Sequence, residues 1–246
     1  MTSHGRTVLL LAALAGCGRF SFDAEPPADV AVDVPADAVD TTGLVARYAM
    51  DNDPSAGSVP GAPSTWSASC APCPTATTGR IGGGYQFDQD LRITLPASNF
   101  IGLAPYTVTV WVKPAASATF YSIVNKPLDL VTVRNVLSLT LDGTTGHIGF
   151  ETSIGGSIVS FPATSPDLRG AWHHVAARWD GMARRLYVDG ALIGVDPGAF
   201  DDSNLEIGFG ADLDGNAPAI FYRGALDELR FYDRALTDAE IALIAE

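Results

Sequence analysis

The sequence predicts an all-β fold, a two-sheet antiparallel jelly-roll sandwich closed by a short C-terminal helix. Three observations predict it. From Gly43 onward, short runs either alternate apolar with polar residues or are enriched in Val, Ile, Phe, Tyr and Trp, as half-buried strands are. Gly, Asp, Asn and Pro punctuate those runs at short intervals. Helical spacing of apolar residues, with its start signal, occurs in one brief stretch at the end of the chain. With 47% hydrophobic and 17% charged residues among 246, the chain holds enough apolar surface for a sizeable core.

The first element is a targeting segment, residues 1–16. Arg6 stands in a short polar start, the apolar run Val8 to Ala15 follows, and "LAGC" occupies Leu14 to Cys17. The run is far shorter than the ~18–20 apolar residues that span a bilayer. "LAGC" resembles the lipobox of bacterial lipoproteins, which implies cleavage before Cys17 and lipid attachment to it. The other reading is an ordinary secretory signal with an incidental cysteine. Gly18 is not the aspartate that favours inner-membrane retention, so the expected address is the outer membrane or the cell surface. Residues 17–42 read as a disordered acidic tether: Phe22 to Thr42 contains six acids, three prolines and no Lys or Arg, a composition that stays extended and solvated. The net charge of −13 argues against nucleic acid and against a basic patch on anionic lipid.

The globular domain is expected over residues 43–246. "LVARYAM", "LRITL", "YTVTVWVK", "FYSIVNK", "VLSLTL", "HIGFET", "SIVSF", "WHHVAARW", "RLYVDGALIGV", "LEIGFG" and "LDELRFY" read as strands. Asn52 to Thr78, rich in Ser, Pro, Ala and Gly, reads as an insertion loop. It contains "CAPC". Pro72, Pro74 and the lack of a following helix argue against a thioredoxin-type pair, and two thiols without neighbouring His or Cys leave a zinc site half built, so an exported chain should join Cys70 and Cys73 in a disulfide.

His173 and His174 suggest chemistry at first sight. Successive strand residues point to opposite faces, so the two rings are predicted to lie on opposite sides of one sheet, each with its own hydrogen bond, and not to share a metal or substrate. Asp180-Gly181 and Asp189-Gly190 are predicted hairpin turns. In the last element Thr237 caps, Glu240 completes a capping box, and Ile241 and Ile244 form the stripe that docks on the sandwich.

"GAWHHVAARWDGMARRLYVDGALIG", then "LEIGFG" and "FYRGALDELRFYDRALTDAEIALIAE", resemble the laminin G-like, concanavalin A-like jelly-roll family of bacterial extracellular proteins. "GGGYQFDQDLRITLP" and "YTVTVWVKP" resemble its earlier strands, so the resemblance spans roughly Gly43 to Glu246. The family's Phe-Asp-Gly turn reads Phe87, Asp88, Gln89 here. The resemblance implies a module that binds carbohydrate or protein, often with a structural calcium ion. A polysaccharide or glycoprotein partner, or alternatively an envelope protein, is therefore expected.

Catalysis is not expected: the Glu-x-Asp-x-x-Glu pattern of glycoside hydrolases with this architecture does not occur, nor do Gly-x-Ser-x-Gly or His-Glu-x-x-His. For calcium, one candidate pairs Asp51, ending the first strand, with Asp227, opening the last; the alternative reading has Asp51 starting a turn and Asp227 capping or pairing with Arg230. A second candidate is "DLDGN", with Asp212, Asp214 and Asn216 as alternating oxygen donors, but it lacks the later bidentate glutamate of a calcium loop, which favours a plain turn. Candidate aromatic platforms for a sugar ring are Trp66, Phe120, Tyr121, Phe200 and Tyr222, each also a candidate for packing.

Overall fold

In the computed structural model the described residues are 41–62, 66–88, 90–96, 101–117, 119–132, 134–161, 164–198, 200–213 and 218–246. The signal segment, Cys17, nearly all of the acidic tether, and Asp214 and Asn216 lie outside them. Strands are numbered in chain order. The first sheet runs β14 (Ala191–Pro197), β13 (Ala183–Val188), β12 (His173–Trp179), β7 (Tyr106–Pro114), β16 (Gly224–Tyr232), β5 (Gly83–Phe87) and β4 (Thr75–Thr78), with β1 (Leu44–Tyr48) also paired to β16. The second runs β11 (Ser157–Ser160), β10 (Ile148–Ile154), β9 (Asn135–Asp142), β8 (Phe120–Pro127), β15 (Ile207–Phe209), β6 (Ile93–Leu95), β3 (Ala68–Cys70) and β2 (Ser58–Val59). Every pairing between them is antiparallel. The jelly-roll sandwich is the observed architecture.

Period-two alternation builds the core. Val108, Val110 and Val112 of β7, with Val175, Ala177 and Trp179 of β12, face Ile93, Leu95, Leu139, Leu141, Phe150 and Phe209 of the opposite sheet, all of them buried. The outward side of the first sheet is also covered. There α1 (Asp238–Ile244) lays Ile241 and Ile244 against Ala176, Tyr187 and Tyr232. Thr237 and Glu240 form the expected capping box: the Glu240 amide donates to the Thr237 hydroxyl at 3.2 Å and the Thr237 amide to the Glu240 carboxylate at 2.6 Å.

One expectation is corrected. The Asn52 to Thr78 segment is not an irregular loop, since it supplies β2 and β3 to the second sheet and β4 to the first. Edge strands are recruited by backbone pairing, which requires no apolar alternation and so leaves little trace in a Ser/Thr/Ala-rich stretch. The Cys70–Cys73 disulfide is present, with Cα atoms 4.8 Å apart, and closes the turn by which the chain passes from β3 in one sheet to β4 in the other.

Candidate functional site

His173 and His174 occupy opposite faces of β12, as alternation requires. His173 lies opposite Val112, and its Nδ1 is 2.8 Å from an Asp189 carboxylate oxygen. His174 lies opposite Trp111 on the outward face, where the rings meet edge to face at 5.3 Å. The outward ring is the buried one, at 1% exposure, and neither of its nitrogens has a hydrogen-bond partner. The expectation that each ring holds a hydrogen bond is therefore wrong for His174, which is tied to Asp189 only through its backbone, the amide donating to the carboxylate at 2.9 Å and the carbonyl accepting from the Asp189 amide at 2.8 Å. Burial first, and then Arg230, lower its pKa to about 3, with Asp189 opposing. A neutral ring without partners is packing, not a catalytic base.

The two carboxylates expected to join the first and last strands each bond to the same backbone segment, Gly79 to Gly83. On the edge of β16 away from β7, β5 pairs with Gly224 to Leu226 and β1 with Leu229 to Tyr232, so β1 and β5 lie end to end with a break at Asp227 and Glu228. The β16 register shifts there, and Glu228 has φ of 50°. The segment Gly79 to Gly83 fills the break. One oxygen of Asp227 accepts from the amides of Arg80 and Ile81, both at 2.9 Å, and Asp51 accepts from the Gly83 amide at 2.7 Å. Gly82 has φ of 66°, and a Cβ there would fall 2.5 Å from an Asp51 oxygen, so only glycine allows the approach. Arg230 pairs with Glu228, as does Arg47, so of the alternative's two roles Asp227 does not pair with Arg230 but accepts from backbone amides as a cap does.

Asp227 is fully buried and its Oδ1 has no hydrogen-bond partner. Burial pushes its pKa up to about 7, with the Glu228 carboxylate adding and the Ile81 and Arg80 amides opposing. An unclaimed buried carboxylate oxygen beside a second carboxylate and a turn of backbone is a donor set that suits a hard cation. Among the described residues no cluster of three or more His, Cys, Asp or Glu side chains is placed to hold a metal, so any ion here would draw its remaining ligands from backbone oxygens or water. Asp212 is buried beside the bridge it forms with Ala219.

The aromatic candidates are corrected by burial. Tyr121, Phe200 and Tyr222 are at most 4% exposed and meet Tyr222, Tyr106 and Trp179, and Phe87 respectively edge to face, so none offers a ring face to a ligand. Trp66 is partly buried against the core, and Phe120 is exposed.

A different recess lies on the outward face of the second sheet. Ile93 and Leu95 of β6 point inward, which turns Arg92 and Thr94 outward; Ile207 and Phe209 of β15 point inward, which turns Glu206 and Gly208 outward. Thr94 lies directly opposite Gly208. Together with Pro127, Leu130, Asn204, Leu213 and Pro218, the residues Arg92, Thr94 and Glu206 line a cavity of about 460 Å³, within the ~300–1,000 Å³ range of small-molecule sites. Sequence reasoning missed it. The signal was present in "LRITL" and "LEIGFG", where a cation and an anion occupy outward positions of two short strands.

The family model for the concanavalin A-like lectin/glucanases superfamily matches residues 87–242. The chain belongs to this laminin G-like family. The matched stretch begins at Phe87, yet β1 to β4 upstream are integral to the same two sheets. No curated protein matches the chain. Among solved structures, the laminin G-like chain is similar to domain 4 of AbnA, an extracellular arabinanase from Geobacillus stearothermophilus solved in complex with arabinotriose: 20% identity, TM-score 0.66, covering 82% of this chain and 98% of that domain. It is also similar to a Trypanosoma rangeli sialidase mutant displaying trans-sialidase activity, at 16% identity and TM-score 0.64, covering 84% of this chain but 33% of the enzyme. The binding domain of Paraclostridial Mosquitocidal Protein 1 matches at 16% identity and TM-score 0.57, over 73% of this chain and 47% of that one. At these identities the likeness establishes the fold.

Proposed function

We propose that this chain is a carbohydrate-binding module without catalytic activity, displayed at the bacterial outer membrane or cell surface by a lipid on Cys17. The observation that carries the reading is membership of the concanavalin A-like lectin family, supported by the match to nearly the whole of an arabinanase domain solved with an arabinotriose ligand. The absence of a hydrolase carboxylate motif and the state of His174 support the non-catalytic part. The test is a glycan array probed with the full chain, in calcium and in chelator. Retention of one glycan class supports the reading; no retained glycan under either condition overturns it.

A structural calcium ion at the β1/β5/β16 junction belongs to the same proposal. Asp51 and Asp227 would hold it with backbone oxygens of the intervening segment, and it would neutralise a buried carboxylate and bind two strand ends to a third. Anchoring is tested separately. Cys17→Ser should release the chain from the membrane fraction or block its processing and abolish palmitate labelling, whereas identical fractionation and labelling of mutant and wild type would contradict the anchor.

Adhesion to an envelope or extracellular protein is the second reading. Exposed Ile154, Ile158, Leu192 and Val195 on or beside the edge strands β11 and β14 favour it.

A further inference from the structure

The recess on the outward face of the second sheet points to a specific ligand seat. We infer that Arg92, Thr94, Asn204 and Glu206 form the saccharide site of this module and that it takes one or two units of a neutral sugar. The inference rests on the carbohydrate-binding reading and says where and what that module binds.

Four polar side chains line the recess, and none of them makes a hydrogen bond or ion pair with another described residue. Most other described guanidiniums are committed to carboxylates, among them Arg178 to Asp238, Arg185 to Asp180, Arg223 to Asp90 and Arg234 to Glu240; Arg80 and Arg134 are not. Arg92 is half-buried yet uncommitted. A recess lined by an uncommitted guanidinium, hydroxyl, amide and carboxylate offers donors and acceptors spaced along its length, the combination that the hydroxyls of one or two sugar units satisfy.

The lining is also held in place. Leu213 leans over the floor because Gly208 has no side chain: a Cβ there would lie 2.5 Å from Leu213 Cγ. The Leu213 amide donates to Asn125 Oδ1 at 3.0 Å, and Asn125 in turn donates to Asn135 at 2.6 Å inside the sheet's own polar layer. The strand-entry segment carrying Asn204 and Glu206 is pinned from below. Buried Lys126 pairs with Asp202 at 3.4 Å, and the Ser203 hydroxyl donates to the Pro127 carbonyl at 2.6 Å. A lining fixed before the ligand arrives loses little freedom on binding.

Ligand class follows from charge and from wall chemistry. Arg92 and Glu206 offset each other in the recess and the chain as a whole carries −13, so a uronate or sialate carboxylate gains no net local attraction and meets the chain's overall repulsion, which a neutral ring does not. The walls are Pro127, Leu130, Leu213 and Pro218, aliphatic surfaces that accept a sugar's C–H face but offer no aromatic platform for stacking a long chain. The seat therefore suits the end of a glycan more than its middle.

The test uses the full chain on an array of neutral pentose and hexose oligosaccharides together with oligogalacturonides and sialylated glycans, for wild type, Arg92→Ala and Glu206→Gln. Wild type should retain neutral glycans only, and each variant should weaken that binding about tenfold or more, as expected on losing a charge-assisted hydrogen bond. Both variants should melt near wild type, since both side chains are uncommitted and Glu206 is exposed. Neutral-glycan binding unchanged in both variants would overturn the site while leaving the carbohydrate reading intact. Retention of the acidic glycans in preference would overturn the ligand class, and no retention of any glycan by wild type would overturn the reading and the site together.

Discussion

His174 is pushed strongly toward its neutral form, and the consequence is measurable. Its folded pKa of about 3 lies below the ordinary histidine value of 6.5, because the ring is sealed behind Trp111, itself covered by the Arg80 guanidinium at 4.7 Å. Below pH 6.5 the unfolded chain binds a proton at this position that the folded chain refuses. Its contribution to stability is thus complete above 6.5 and is lost as pH falls toward 3. His174→Leu should flatten the acid limb of a thermal-melting profile in that window and leave neutral-pH stability equal or higher, because it removes two polar atoms that have no partner. His173→Ala should cost no more than about 1 kcal/mol and leave the acid limb in place, since that ring is half-exposed and holds a surface contact to Asp189. Equal effects of the two substitutions would contradict the opposed faces. Alternation along "WHHVAARW" is enough to predict those faces. It does not reveal that the outward ring is the sealed one, because the cover comes from distant Arg80, which is bonded through Nη2 to the Glu246 carbonyl at 2.8 Å.

At the scale of elements, the β1/β5/β16 junction and the C-terminal helix make separate predictions. If an ion occupies the junction, millimolar calcium should raise the melting temperature and chelator should reverse it; at a hundredfold excess over Kd the gain is about 2.7 kcal/mol. Asp227→Asn should diminish the shift and Asp212→Asn should leave it intact, whereas a wild type indifferent to calcium would remove the ion from the account. Thr237→Ala removes one half of the capping box and should cost about 1 kcal/mol, read as a lowered denaturant midpoint at unchanged slope. Capping residues act within four positions of one another, so this helix was legible from sequence to within a residue or two. The junction was legible only in part. Asp51 and Asp227 could be named from their places at strand ends, but the Gly79 to Gly83 turn of the β4/β5 hairpin is set against Asp227 only by the β5/β16 pairing, more than a hundred residues apart. The short strands β2, β3 and β4 were invisible for the related reason that their partners, not their own side chains, make them strands.

Across the whole molecule, the two sheets divide their outward faces between different tasks. The first sheet's outward face is closed by α1 and by buried side chains, while the second sheet keeps a recess whose polar lining is unspent. Sandwich and family were readable because the inward residues repeat along every long strand. The aromatic candidates failed for the same reason: Tyr121, Phe200 and Tyr222 are drawn into the core that their hydrophobicity builds. The site left behind consists of outward residues beside β6 and at the entry to β15, and only the observed register of Thr94 against Gly208 sets Arg92 and Glu206 at the two ends of one recess. The central claim is that this face binds a neutral saccharide. It is tested most directly by following backbone amide resonances of the full chain while titrating the best neutral oligosaccharide from the array. The account predicts saturable shifts confined to Arg92, Thr94, Asn204 to Gly208 and Leu213, with the Asp51 to Gly83 junction unmoved. Saturable shifts centred on the junction or on the β11 and β14 edge, with the recess silent, would contradict it.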